Sequence, residues 1–265
     1  MRQTIREELE HGSWFGGKTA IVTGGAKGIG AGICRVLAEE GANIVVNYRS
    51  DPELCEAFAR GLAEETGVKT IAVQADVSTE EGCDTVWKAA LGAFERIDIL
   101  VNNAGGGFRK PFTELDYADW RRVQDNSLNS QFLMSRRFTD HCLPANRGGH
   151  IVNVLSKSAI TTNSTHNTSY VSAKGGALAL TRGMANELTP LGIIVNGIVP
   201  GYVINSKGTF NPETNPYAKK LIEEIIPTKR FGTPREMGNV VAFLCSERAS
   251  QIIGAIVDCS GGTML

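Results

Sequence analysis

Short, continuously apolar runs rich in β-branched residues recur along the chain: TAIVTG at 19–24, NIVVNY at 43–48, KTIAVQ at 69–74, IDILV at 97–101, HIVNVL at 150–155, IIVNGI at 193–198 and AIVD at 255–258. A strand with one face in water alternates apolar and polar residues; a strand covered on both faces does not. Between the runs lie segments long enough for crossover helices, which parallel neighbours require. The pattern predicts an α/β chain with a doubly wound, seven-stranded parallel sheet of the Rossmann type. No repeat or linker divides the sequence, and 265 residues with 42% hydrophobic content suffice for one core of this kind. Residues 1–17 read as an N-terminal extension and 18–265 as a single domain. Within it, 202–232 differs in texture. Turn-rich NSKGTFNPETNPY and PTKRFGTP frame a short helical pattern, which suggests a lid over a substrate site, against the plainer reading of an ordinary connection.

Composition narrows the class of partner. A formal net charge of -1 lacks the basic excess of a nucleic-acid or membrane-surface binder, so a small molecule is expected. Cysteines 34, 55, 83, 142, 245 and 259 form no C-x-x-C pair, and read as reduced thiols with no metal role. The first 17 residues are charged and carry no apolar core, and no apolar run reaches the length of a membrane span. A cytoplasmic protein is the expectation.

The first strand runs into Thr23-Gly24-Gly25-Ala26-Lys27-Gly28-Ile29-Gly30, and a helical pattern follows from Ala31 to Glu40. Glycines at such a turn let the backbone approach a pyrophosphate, and the helix N-terminus offers free N–H groups and the positive end of its dipole. A dinucleotide is therefore expected here, although a bare tight turn would use the same residues. The end of the second strand reads Asn47-Tyr48-Arg49-Ser50, with Arg49 where an acidic residue would bind the ribose 2′-hydroxyl of NAD. Arg49 and Lys27 suit a 2′-phosphate, which predicts NADP as cofactor. The alternative is a pair of solvated surface cations.

Tyr170 and Lys174 lie four residues apart at the start of a long helical pattern, so they share a face. A phenol ordinarily titrates near 10, and a neighbouring ammonium stabilises its anion. The pair is a candidate proton donor and its charge partner, or else an unremarkable helix face.

With TGGAKGIG, Asp76-Val77, Asn102-Asn103-Ala104-Gly105, Ser156, the YVSAK helix and Val199-Pro200-Gly201 in this order, the chain resembles the short-chain dehydrogenases/reductases over about residues 17–265, in particular the members similar to 3-oxoacyl-(acyl-carrier-protein) reductases. The resemblance implies that Gly24, Gly25, Ala26 and Lys27 cradle the phosphates, together with the rest of the turn, Gly28, Ile29 and Gly30. It implies that Asp76 and Val77 meet the adenine and that Asn103, with Ala104 and Gly105, lies beside the adenosine ribose. Tyr170 would exchange the proton with the substrate oxygen, and Lys174 would bind the nicotinamide ribose and lower the Tyr170 pKa. Pro200, Gly201 and Val203 would flank the nicotinamide. The hydroxyl that polarises the carbonyl is Ser156 in the family register, with Ser158 as runner-up. A homotetramer or dimer is implied through the long helices after the fourth and fifth strands, and Leu128, Phe132 and Leu133 suggest a second buried face there.

The sequence departs from the family at three places. Ser127 stands where many members carry an asparagine that holds a water linked to the catalytic lysine. At about 100° per residue, Ser127 shares an inward stripe with Trp120, Val123, Met134 and Phe138, whereas Asn126 and Asn129 point elsewhere. Ser127 would hold the relay water or bond a carbonyl of its own helix. Asn205 replaces a threonine expected at the nicotinamide carboxamide, and Asp258-Cys-Ser-Gly-Gly262 is longer than the usual motif by two residues.

The substrate wall is expected from 159–169 and the GGFRK loop at 106–110, where Asn163 and His166 suit a polar ketone or alcohol and Arg109 or Lys110 an anionic tail. The expected activity is NADP-dependent interconversion of a ketone, such as a 3-oxoacyl group, and a secondary alcohol. Alternatives are an oxidising sugar, polyol or hydroxysteroid dehydrogenase, and a non-catalytic dinucleotide sensor.

Overall fold

A computed structural model describes residues 13–161, 165–204 and 213–265. Its strands are β1 (Thr19–Val22), β2 (Asn43–Tyr48), β3 (Thr70–Gln74), β4 (Ile99–Asn102), β5 (Gly149–Val154), β6 (Ile193–Pro200) and β7 (Ile256–Cys259). They form one seven-stranded sheet in the order β3-β2-β1-β4-β5-β6-β7, parallel throughout. The helices are α1 (Gly28–Glu39), α2 (Pro52–Thr66), α3 (Glu80–Ala93), α4 (Tyr117–Gln124), α5 (Ser130–Cys142), α6 (Thr168–Leu188), α7 (Pro216–Lys220) and α8 (Pro234–Cys245).

The continuous apolar runs have a direct structural cause. In β1, Ala20 and Val22 pack into one core with Ile33, Leu37, Leu62 and Val241 of α1, α2 and α8. Ile21 points the opposite way, into a second core with Val86, Trp87, Met134, Phe138 and Ala185 of α3, α5 and α6. Val45 and its neighbours Ile44 and Val46 divide in the same way. Successive strand side chains alternate in direction, yet both directions end in a dry layer, so every position must be apolar. Each fully buried aliphatic side chain gains about 1.5–3 kcal/mol relative to exposure, which offsets the ordering of the chain.

Strand order reverses direction between β1 and β4, so the loops that leave their C-terminal ends turn to opposite faces and open a crevice. Helices α4 and α5 are joined by a π-helical turn over Asp125–Asn129. Val123, Ser127, Met134 and Phe138 are buried as the stripe requires, but Asn126 is turned towards the crevice. Of the three residues assigned to a second buried face, two make contacts within the chain. Leu128 packs with Leu155 and Ala177 of its own chain, Leu133 packs into the core beside α3, and Phe132 is half-exposed.

The segment 202–232 leaves and rejoins the domain at one point. Val203 bridges Gly232, Gly232 N donates to Tyr202 O, and Ile204 N donates to Gly232 O. Between them Ala218, Leu221, Ile226 and Phe231 form a small core of their own, with Tyr202 packed against it. Asn163 and Asn205 lie outside the described residues. No helix among the described residues is long and apolar enough to cross a membrane.

Candidate active site

The turn after β1 is held in shape from below. Asn103 Nδ2 donates to the carbonyls of Thr23 (2.9 Å) and Gly24 (3.0 Å), and Thr23 Oγ1 accepts from the N–H groups of Asn103 and Ala104. Asn47 secures the other side, its Oδ1 accepting from Gly24 N and its backbone oxygen from Gly25 N. Gly24 sits at φ +59, where a side chain would be strained, and a Cβ on Gly30 would press into the Gly24 carbonyl and lie 2.6 Å from Asn103 Nδ2. The backbone therefore lies close against the start of α1, whose first residues border a cleft of about 530 Å³. Gly24, Lys27, Gly28 and Ile29 line this cleft, while Gly25, Ala26 and Gly30 lie behind the turn and shape it. Such a cradle fits a pyrophosphate.

Arg49, Asp76, Val77, Asn103, Ala104, Gly105, Pro200, Gly201 and Val203 line the same cleft. Each of the two cations assigned to a 2′-phosphate has a carboxylate beside it. Arg49 Nη1 lies 3.6 Å from Asp76 Oδ2, and Lys27 is paired with Asp51. Burial would raise the Asp76 carboxyl, but hydrogen bonds from Ser78 and the charge of Arg49 outweigh it and hold the group below its ordinary value. The Lys27–Asp51 hydrogen bond raises the lysine above its ordinary range. Asp51 lies just past the strand end and was not anticipated; its φ of 62 turns the chain back towards Lys27.

At the other end of the cleft, Ser156, Tyr170 and Lys174 come together from the end of β5 and the first turns of α6. Ser156 Oγ accepts from Ser158 N at 3.2 Å, and its hydroxyl acts on the Tyr170 phenol to favour the anion. Ser158 is buried and does not line the cleft. Lys174 is fully enclosed, with Nζ donating to Val154 O at 2.7 Å and lying 5.8 Å from the Tyr170 ring centre. Burial lowers the Lys174 ammonium to about 8. The expected depression of the Tyr170 phenol is not what the geometry gives: burial raises it, and the Ser156 hydrogen bond opposes that only in part.

The bonds of Ser127 run to the loop after β4 and not to a carbonyl of its own helix. Its Oγ accepts from Gly106 N at 3.0 Å and donates to Gly106 O at 3.1 Å, which clamps the loop after β4. Gly105, between them, is so placed that a Cβ there would lie 3.3 Å from Lys174 Nζ and 3.4 Å from Ser127 Oγ. Asn126, set aside on angular grounds, lines the cleft. Its signal was the polar cluster itself. Lys110 is committed to Asp119 (2.6 Å) and Asp116 (3.3 Å), Arg109 and His166 are exposed, and none of the three lines the cleft. At the C-terminal motif, Ser260 packs against Gly201, where a Cβ would meet its backbone oxygen at 2.6 Å.

Residues 24–264 match the family described as enoyl-(acyl carrier protein) reductase. The chain is 37% identical over 249 residues to 3beta-hydroxysteroid dehydrogenase 1 of Eggerthella lenta, covering 94% of each. It is 34% identical over 246 residues to the 3-oxoacyl-(acyl-carrier-protein) reductase FabG of Aquifex aeolicus, covering 93% of this chain and 97% of that one. Among solved structures, L-sorbose reductase from Gluconobacter frateurii, complexed with NADPH and L-sorbose, superposes with a TM-score of 0.88 at 30% identity, over 94% of this chain and 97% of that one. A doubly wound sheet with a dinucleotide cradle and a Ser-Tyr-Lys cluster at one cleft defines a class of nicotinamide-dependent oxidoreductases. The chain belongs to the short-chain dehydrogenase/reductase family.

Proposed function

We propose that the protein interconverts a ketone and a secondary alcohol with NADP, Tyr170 serving as the proton donor and acceptor. The observation that carries this reading is the convergence of Ser156, Tyr170 and Lys174 at one end of the cleft whose other end cradles the phosphates. The bound nicotinamide supplies or receives the hydride. In reduction, Ser156 donates a hydrogen bond to the substrate oxygen as negative charge develops there, and Tyr170 gives that oxygen its proton. The phenolate left behind is stabilised by the Lys174 ammonium, which also stores a proton for its recovery. Lys174 is held for this by Val154 O. The roles given above to the cleft-lining residues and to the turn behind them are part of the same proposal.

NADP is favoured over NAD by Arg49 at the cleft edge and by the NADPH bound in the L-sorbose reductase structure. A 3-oxoacyl or other oxygenated ketone is the preferred substrate class. The 37% identity to a 3beta-hydroxysteroid dehydrogenase favours a second reading, oxidation of a hydroxylated substrate by the same site. We also propose that 202–232 acts as a lid and that the protein is a cytoplasmic homo-oligomer. A panel of ketones and alcohols assayed with both cofactors tests the central reading. Turnover with NADPH of at least one ketone is expected; tight NADPH binding with no turnover of any substrate would instead indicate a sensor.

A further inference from the structure

Lys157 follows Ser156, which lines the cleft, in a short 3₁₀ turn, Lys157–Ala159; Lys157 itself lies just outside that lining. Its backbone carbonyl accepts from Ile160 N, from Thr161 N at 2.8 Å and from Thr161 Oγ1 at 3.2 Å, so the turn is firmly fixed. The side chain is half-buried and its ammonium lies 3.8 Å from the centre of the Tyr202 ring. Tyr202 stands between Gly201 and Val203, which both line the cleft, and also packs against the small core of the 202–232 segment. Two elements therefore meet at this ammonium: the turn that carries Ser156 and the loop after β6.

The ammonium has no carboxylate partner among the described residues, whereas Lys110 has two and Lys174 has a carbonyl at 2.7 Å. Burial lowers Lys157 below its ordinary range, with the Tyr217 phenol opposing that in part. A ring face is a weaker partner for a desolvated ammonium than an anion. A carboxylate entering beside Ser156 would complete the site, which is unlike the surface cations Arg230 and Arg235, already bidentate on Glu236 and Glu39.

We propose that Lys157 is a specificity residue that reads a carboxylate on the substrate, so that oxo acids and their hydroxy acids are the preferred pair. This inference rests on the reading that Ser156 and Tyr170 hold the reacting oxygen. The anionic tail is thereby assigned to Lys157, not to Lys110, which its two aspartates occupy.

The test compares the wild type with Lys157→Met, which keeps the packing on Tyr202, and Lys157→Arg, which keeps the charge. The first readout is the ratio of kcat/KM for an oxo acid to that for its methyl ester. The second is binding of a saturated, unreactive carboxylic acid and its amide to the enzyme–NADPH complex, followed by NADPH fluorescence. The wild type should favour the acid, Lys157→Met should lower both the ratio and the acid-over-amide preference at least about tenfold, and Lys157→Arg should restore most of each. A ratio and a binding preference that change less than about twofold in Lys157→Met would overturn the proposal. If no ketone is reduced yet acid binding still depends on Lys157, the carboxylate site stands and the catalytic reading falls. If the ester is reduced and the acid gains nothing from Lys157, the reverse holds.

Discussion

Tyr170 and Lys174 are displaced by the same cause in opposite directions, since burial disfavours a phenolate and an ammonium alike. Near neutrality both therefore hold their protons, which is the state that ketone reduction consumes. Reduction should weaken as pH rises past about 8, where the Tyr170–Lys174 pair gives up one proton, and alcohol oxidation, which needs that proton gone so that a phenolate can stand beside the ammonium, should strengthen over the same range. Rate profiles against pH in both directions check this; parallel profiles would exclude it. Ser127 makes a different prediction. Ser127→Ala removes a buried hydroxyl that both donates to and accepts from Gly106, so stability should fall by about 1–3 kcal/mol in denaturant unfolding, with the shape of the pH profile unchanged. At this scale the four-residue spacing of Tyr170 and Lys174 was enough to put them on one helix face, whereas Ser156 was legible only from the family register, with Ser158 as its rival. The sequence reading left open whether Asn126 flanks the site or solvent, and it missed the raised Tyr170 phenol, since desolvation depends on what the fold packs around the ring.

The turn after β1, the end of β2 and the start of α2 together set the charge around the cofactor ribose. Asp51 precedes Pro52, in the left-handed conformation, and its carboxylate ties down Lys27. A cation already paired gives less to a phosphate. Asp51→Asn should thus increase the preference for NADPH over NADH about 3–10-fold, and Arg49→Ala should reduce it by at least as much, measured as the ratio of dissociation constants. Equal effects on the two cofactors would show that neither residue faces the 2′ position. The strands themselves were legible to within two residues at each end, because burial on both faces writes an uninterrupted apolar run. What lay outside that signal was the pairing of side chains across loops. Lys27 with Asp51 joins residues 24 apart, and nothing in local sequence links them.

For the whole molecule, the two cores on either face of one parallel sheet follow from the pattern of apolar runs and crossover lengths, and so does the crevice at the β1–β4 reversal. The partner surfaces do not follow, because two of the three residues assigned to an outer face pack within the chain and leave Phe132 half-exposed. If the long helices nevertheless form the proposed interface, light scattering should give two or four times 28.4 kDa, and Phe132→Asp should shift the mass to that of one chain. The central claim is that one cleft both cradles the dinucleotide and delivers a proton from Tyr170. Its most direct test is ketone reduction at saturating NADPH by Tyr170→Phe beside the wild type. The account predicts a loss of at least about 10³-fold in kcat while NADPH still binds; a variant that binds NADPH and keeps its rate within about tenfold would contradict it.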